Sequence, residues 1–284
     1  MKIIRNHTTL SEFESQRSPN ERVGFVPTMG ALHTGHGSLI QRSIQANDLT
    51  VASVFVNPTQ FNNSEDLKNY PRTEESDLAF LEAMGCDVAF LPEVQMIYPS
   101  PSAVQFNFGT LESVMEGRNR PGHFNGVGIV VSKLFNLIRP QVAYFGEKDL
   151  QQLAIIKALV QSLSFQITIE GCPTLREEDG LAMSSRNTRL TKEHREKAPA
   201  LFKVLNGVKT DILSHHPVEL TLINWRIKLE EIGFRVDYLD LVNDENLQPV
   251  TTISDNQQLA VCVAASLGSV RLIDNLRFTV DQNS

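Results

Sequence analysis

The chain has 284 residues, 41% of them hydrophobic and 21% charged, which are the proportions of a globular protein with enough length for two domains. A formal net charge of -7 argues against broad nucleic-acid or membrane-surface binding, so an anionic ligand requires a local cationic pocket in an acidic exterior. No apolar run approaches the roughly 20 residues of a membrane span. The opening MKIIRNHTTLSEF lacks the long apolar core of a secretory signal. Cys86, Cys172 and Cys262 are odd in number and scattered, and are expected to be buried free thiols of a reducing, cytoplasmic compartment.

Through the first 170 residues or so, short apolar runs alternate with helical patterns. Strands are predicted at 23–27, 50–56, 87–91, 142–145 and 166–169. They are rich in Val, Phe and Ile with little alternation, as expected where both faces of a parallel sheet are covered. Between them, Leu78, Leu81 and Met84 mark a helix that Gly85 ends, and 126–138 reads as a buried helix in which Gly126 and Gly128 serve packing. Asp149 is placed to cap a helix through Leu153, Ile156 and Leu159. This alternation predicts a doubly wound α/β domain, whose ligands bind outside the carboxyl ends of the strands. From about Thr174 the texture changes. A polar segment, 176–189, leads into helical patterns at 191–214 and 218–232 and then alternating runs at 234–242, 259–265 and 270–278, which predicts a smaller α+β domain with an antiparallel sheet.

Two segments carry chemistry. Pro27-Thr28-Met29-Gly30-Ala31-Leu32-His33-Thr34-Gly35-His36 leaves the first of these predicted strands and opens a helix. Its glycines permit a tight turn, its helix N-terminus presents free N–H groups, and His33 and His36, three apart, can face the same phosphate. The residues alone leave open two polar loop histidines or a zinc pair in place of that role. Neither a Walker A sequence nor a G-x-G-x-x-G fingerprint is present. The second segment runs from Arg176 to Asn187 and contains Gly180 and Met183-Ser184-Ser185-Arg186, hydroxyls and a guanidinium suited to phosphate oxygens on a loop able to close over a nucleotide.

A His-x-Gly-His turn after a strand, followed later by a Met-Ser-Ser-Arg loop, resembles the nucleotidyltransferase superfamily with its HIGH-like and KMSKS-like elements. Phe55-Val56-Asn57-Pro58-Thr59-Gln60-Phe61, Tyr70-Pro71-Arg72-Thr73, Arg120-Pro121-Gly122-His123-Phe124-Asn125-Gly126-Val127 and Phe145-Gly146-Glu147-Lys148-Asp149-Leu150-Gln151-Gln152 narrow the resemblance to the pantoate–β-alanine ligases. It departs at Gly37, where the family usually has a larger apolar residue, and at Thr188-Arg189, where a Tyr is more usual after Ser-Arg-Asn.

The resemblance implies a Rossmann-like N-terminal domain, 1–174, binding ATP and pantoate, and a smaller α+β domain, 175–284, closing over the ATP site. The reaction it implies is activation of pantoate as an acyl-adenylate and transfer to β-alanine, which needs positioning and charge neutralisation rather than a nucleophilic side chain. Met29, Gly30, Ala31, Leu32, His33, Thr34, Gly35 and His36 would form the ATP loop, with His36 supported by His33 at the departing pyrophosphate. Gly146, Glu147, Lys148 and Asp149 would meet the nucleotide, Lys148 at phosphate and Asp149 at the nucleotide or a magnesium-bound water. Leu175 would offer backbone to the adenine, and Met183, Ser184, Ser185 and Arg186 would clamp adenine and phosphates. Gln60 and Gln152 would hold pantoate, and Gln60 also β-alanine.

Mg2+ would accompany ATP, held mostly by phosphates and water rather than by protein ligands. Arg120 and His123 fit either the acid pocket or a turn, and Arg72 either structure or a subunit contact. The family is expected to be a homodimer without nucleic-acid or membrane partners. Two other readings stay open on the residues: transfer of a nucleotidyl group to a phosphate or amine, and a non-catalytic ATP- or AMP-binding module.

Overall fold

A computed structural model describes residues 1–62 and 64–281. Contacts divide the chain into two compact units, one of residues 1–108, 120–147 and 155–173, the other of 109–119, 148–154 and 174–284. The second unit therefore gathers two short earlier segments together with everything after Pro173. Among the described residues no helix is long and apolar enough to cross a membrane.

The first unit is built on a six-stranded parallel sheet of β1 (Lys2–Ile4), β2 (Val23–Thr28), β3 (Leu49–Val54), β4 (Val88–Phe90), β5 (Val142–Gly146) and β6 (Thr168–Cys172), in the order β1-β4-β3-β2-β5-β6. The five strands read from the sequence are β2 to β6. The three-residue β1 escaped notice because it is too short for a pattern, and its existence depends on pairing Lys2–Ile4 in register with Val88–Phe90. The helix at Leu78 and Leu81 spans Glu74–Ala83 and ends with Gly85 in the left-handed region at φ +81°, which is why glycine stands there. Its apolar face joins Val26, Ile40, Ala52 and Ala89 in one core cluster. The helix His123–Ile138 is apolar nearly all round, with Phe124, Phe135 and Ile138 fully buried. Gly126 permits its close approach to the chain at Thr59 and Gln60, since a Cβ there would strike the Thr59 carbonyl oxygen.

The second unit carries an antiparallel sheet of β7 (Arg235–Asn243), β8 (Gln258–Leu267) and β9 (Val270–Thr279). The helical pattern at 191–214 is two helices, Lys192–Lys197 and Ala200–Leu213, divided at Pro199, whose ring cannot continue the helix it follows. Helices Ala200–Leu213 and Val218–Ile232 cover one face of the sheet, where Leu201, Val204 and Leu205 meet Leu259, Val261 and Val263. The other face is not left to solvent. Val114, Met115 and Leu150 pack on Tyr238, Ala260, Cys262 and Ala264. A bulge between Val236 and Tyr238 shifts the β7 alternation, so that Leu239 and Leu241 face the helices. All three cysteines are free and buried; burial pushes the Cys86 and Cys172 thiols up to about 11 and Cys262 higher still.

Gly207, inside the helix Ala200–Leu213, lies under the Trp225 ring, which its Nε1–H to Asp211 Oδ2 (2.7 Å) and the Lys228 ammonium over its face (3.6 Å) hold in place. Gly207→Ala gains roughly 0.5–1 kcal/mol of helix propensity but overpacks the ring at a cost of roughly 1–3 kcal/mol. The clash is expected to win, and a thermal melt should show Tm falling by about 2–6 °C; an unchanged or raised Tm would mean the indole moves aside freely.

Candidate active site

The sheet order marks a candidate crevice in the first unit. β2 pairs with β3 on one side and β5 on the other, so the direction of winding reverses between β2 and β5. In such sheets the helices that follow the two strands depart to opposite faces and leave a crevice at the strands' carboxyl ends. The predicted ATP loop follows β2, and Gly146 and Glu147 end and follow β5.

The loop after β2 is held by its own polar groups. The Thr28 hydroxyl donates to the Ser53 carbonyl at 2.6 Å and receives the Gly30 N–H at 3.2 Å. Gly30 (φ +82°) and Ala31 (φ +49°) are both left-handed, a conformation that costs an alanine about 1–2 kcal/mol. What holds it is Asp77, 2% exposed, whose Oδ2 accepts the Ala31 N–H at 3.0 Å and whose Oδ1 accepts the Leu32 N–H at 2.7 Å. The chain then enters the helix Thr34–Ala46 with His33 as N-cap. His33 Nδ1 accepts the Gly35 N–H at 3.1 Å and His36 Nδ1 accepts the His33 N–H at 3.3 Å, and the two rings lie 4.1 Å apart between centroids. A neutral imidazole that accepts at Nδ1 carries its proton at Nε2, so both histidines are set as Nε2–H donors beside a helix N-terminus. Gly37 has its Cα under Phe80 and Met84, the side chains that fill the room a larger residue would take.

Gln60 belongs to the same unit and is 8% exposed. Asn57, 1% exposed, donates from Nδ2 to Gln60 Oε1 (3.0 Å) and to the Gly126 carbonyl (3.2 Å), and its Oδ1 accepts from the Tyr98 hydroxyl at 2.8 Å. Burial pushes the Tyr98 phenol above its ordinary range. With Oε1 engaged, Gln60 presents its amide N–H groups, one of them to Met29 Sδ at 3.1 Å. Sulfur is a weak acceptor, so this bond is a weak one. His123 Nδ1–H donates to the Gln60 carbonyl at 2.8 Å, and Arg120 approaches the same oxygen at 3.4 Å. Both residues thus fix the Gln60 turn. The Arg72 guanidinium likewise lies on the Lys68 and Leu67 carbonyls, each at 3.4 Å.

From Lys148 onward the predicted residues lie in the second unit. Glu147–Asp149 form a short helical turn that runs into the helix Leu150–Ser162. Lys148 Nζ stands 3.7 Å from Asp149 Oδ2, and the Lys148 carbonyl accepts from Asn275 at 2.9 Å. Gln151 is spent on structure, accepting the Glu116 N–H and donating to the Leu111 and Val114 carbonyls, whereas Gln152 beside it is half-buried. Arg176 anchors the 174–190 loop. Its guanidinium pairs with both oxygens of Asp274 (2.6 and 2.9 Å), donates to the Gly180 and Asn275 carbonyls, and stacks 3.8 Å over Phe202. Arg195 holds Asp179 below the usual carboxylate range and also pairs with Glu177. On this base, Leu175 is 40% exposed and accepts the Met183 N–H, and Ser184 caps the turn Ser185–Arg189. Ser184, Ser185 and Arg186 are half-buried, and Thr188 bonds back to the Ser185 carbonyl.

The sequence model of the family described as pantoate–β-alanine ligase matches residues 2–277. The chain belongs to the pantoate–β-alanine ligase family. The pantothenate synthetase of Bacteroides fragilis is 46% identical over 280 residues, 98% of this chain and 99% of that relative, and the one from Granulibacter bethesdensis is 47% identical over 277 residues, 97% of this chain and 96% of that relative. Among solved structures, pantothenate synthetase from Thermus thermophilus superposes with a TM-score of 0.89 at 43% identity, covering 97% of this chain and 99% of that one. The pantoate–β-alanine ligase of Francisella tularensis, complexed with β,γ-ATP and β-alanine, gives 0.83 at 34% identity and covers 97% of each chain. This ligase thus carries the doubly wound and α+β architecture of its relatives.

The sequence did not single out Asp77, Asn57 or Tyr98 in the ligase, although a signal existed for one of them. Asp77, Leu81 and Met84 fall at helical spacing on one face, and a carboxylate on a face that is otherwise apolar is one that has partners. Asp274, 98 residues from Arg176, gave no comparable sign.

Arg176→Ala strands the Asp274 carboxylate, 2% exposed, and is expected to cost about 3–5 kcal/mol at neutral pH. Burial pushes Asp274 above the ordinary aspartate range even with Arg176 paired against it. A folded-state pKa raised above the unfolded value means that the ionised form costs stability, and that the cost is relieved as pH falls through the folded pKa. Urea unfolding of the variant should therefore show a deficit that narrows as pH falls from neutral; a deficit that widens on acidification would refute the assignment.

Proposed function

We propose that the chain joins pantoate to β-alanine at the expense of ATP, by way of pantoyl adenylate, releasing AMP and pyrophosphate. The turn after β2 carries the reading: it sets two imidazole Nε2–H groups and a helix N-terminus side by side at the switch point of the sheet, an arrangement suited to a departing polyphosphate. The complex of the Francisella tularensis relative supports ATP and β-alanine as ligands.

In the first step a pantoate carboxylate oxygen attacks the α-phosphorus, a P–O bond forms, and the bond to the β-phosphate oxygen breaks. Negative charge gathers on pyrophosphate, where His36 and His33 donate from Nε2 and Lys148 adds a cation. Ser184, Ser185 and Arg186 hold the remaining phosphate oxygens, with Met183 and the Leu175 backbone against adenine. Gln60, its carbonyl end fixed by Asn57, turns N–H donors toward the carboxylate of pantoate and then toward that of β-alanine. Gln152 completes the pantoate contacts. In the second step the unprotonated amine of β-alanine attacks the acyl carbon, the amide forms, AMP leaves with the electron pair of the broken C–O bond, and the amine gives up a proton. ATP enters as its magnesium complex, with Asp149 near the nucleotide or a metal-bound water. Residues 1–174 then act as the ATP and pantoate domain and 175–284 as the smaller domain serving the nucleotide. A cytoplasmic homodimer completes the proposal.

The deciding experiment is pantoate-dependent exchange of labelled pyrophosphate into ATP without amine, which the adenylate route requires and a direct condensation would not give. His36→Ala is expected to lower kcat by on the order of 10²–10³, as for loss of one donor to a developing anion; an unchanged kcat removes His36 from the role. Gln152→Ala should raise the KM for pantoate far more than that for ATP, and equal effects on both would argue against a direct pantoate contact.

A further inference from the structure

The mechanism leaves one buried carboxylate beside the ATP loop unused. Asp77 sits in the first turn of the helix Glu74–Ala83, where the N-terminal dipole favours an anion. Its two oxygens separately take the consecutive N–H groups of Ala31 and Leu32, and the Thr73 hydroxyl donates to Oδ2 at 3.1 Å. Two donors on successive peptides, met by two acceptors on one rigid group, fix the orientation of the peptide planes on both sides of Ala31. Ala31 needs such fixing, because a left-handed alanine persists only where its surroundings over-determine it. The carboxylate also lies directly under the turn: a Cβ at Gly30 would stand 3.0 Å from Asp77 Oδ2 and 3.1 Å from Val54 Cγ1.

Two residues beyond Ala31, His33 begins the capping arrangement that orients both imidazoles. We infer that Asp77 is a positioning residue for adenylate formation: it holds Gly30–Leu32 in the left-handed turn that delivers His33, His36 and the helix N-terminus to the phosphates of ATP. The inference rests on the ligase reading and deepens it. An asparagine cannot substitute, because its amide offers one acceptor and turns a second donor against a backbone N–H.

A residue that serves only to pack its helix would, when changed, weaken both half-reactions together. A residue that positions the pyrophosphate-facing groups affects the first and spares the second, which begins after pyrophosphate has gone. The test is Asp77→Asn in the full-length enzyme, assayed for pantoate-dependent pyrophosphate–ATP exchange and, separately, for amide formation from supplied pantoyl adenylate and β-alanine. Exchange is expected to fall by about tenfold or more, within what misplaced groups cost, while adenylate consumption stays within about twofold of wild type. Equal losses in both assays, or exchange within about twofold of wild type, would overturn the inference. Thr73→Val removes the hydroxyl donor to Asp77 without removing a helix cap, since the Thr73 side chain makes no capping bond. It should show a smaller loss confined to exchange, and it decides the matter if Asp77→Asn does not fold; equal effects of Thr73→Val on both assays would overturn the inference. Exchange by wild type that Asp77→Asn leaves intact overturns this inference alone, whereas no exchange by wild type overturns the ligase reading and the inference with it.

Discussion

The parallel pairing of β2 with β3 on one side and β5 on the other is the constraint on which the first unit depends. Parallel strands require crossovers, and crossovers of one hand send the helix after β2 and the helix after β5 to opposite faces of the sheet. The opening so created needs no side chain to make it. It places the turn 29–36 at one strand end and Gly146 at the neighbouring one.

Around that opening three buried polar contacts double as positioning devices. Asp77 satisfies two loop N–H groups and so fixes the histidine turn; Asn57 satisfies the Gln60 oxygen and so turns its N–H groups outward; His123 satisfies the Gln60 carbonyl and so fixes the backbone under that amide. Desolvation makes an unanswered group expensive, so each of these contacts is both a condition of folding and a constraint on where the neighbouring groups point. In the second unit Arg176 plays the corresponding part. Four hydrogen bonds from its two terminal nitrogens and a stacked ring tie its guanidinium to the base of the loop that carries Met183–Arg186.

The departure at Gly37 shows the same logic in packing. Phe80 and Met84 reach over the bare Cα, so the space a side chain at position 37 would take is filled from the facing helix and its cap. At Thr188 the hydroxyl bonds back to the Ser185 carbonyl and closes the turn locally.

By itself the sequence determined the strands β2 to β6, the longer helices between them (Thr34–Ala46, Glu74–Ala83, His123–Ile138 and Leu150–Ser162), the antiparallel character of the last three strands and the two segments bearing His33, His36 and Met183–Arg186. These depend on periodicity and turn chemistry acting over a few residues, and such signals survive in a linear reading. Only the tertiary structure decided that β1 exists, that Pro199 divides a helix, that residues 109–119 and 148–154 cover the far face of the second sheet, and that Asp77, His123 and Asp274 serve loops lying 45, 63 and 98 residues away. Those outcomes belong to packing and to the satisfaction of buried charge. Both are settled by which surfaces meet once the chain has folded, and a short stretch of sequence does not contain the group it will meet.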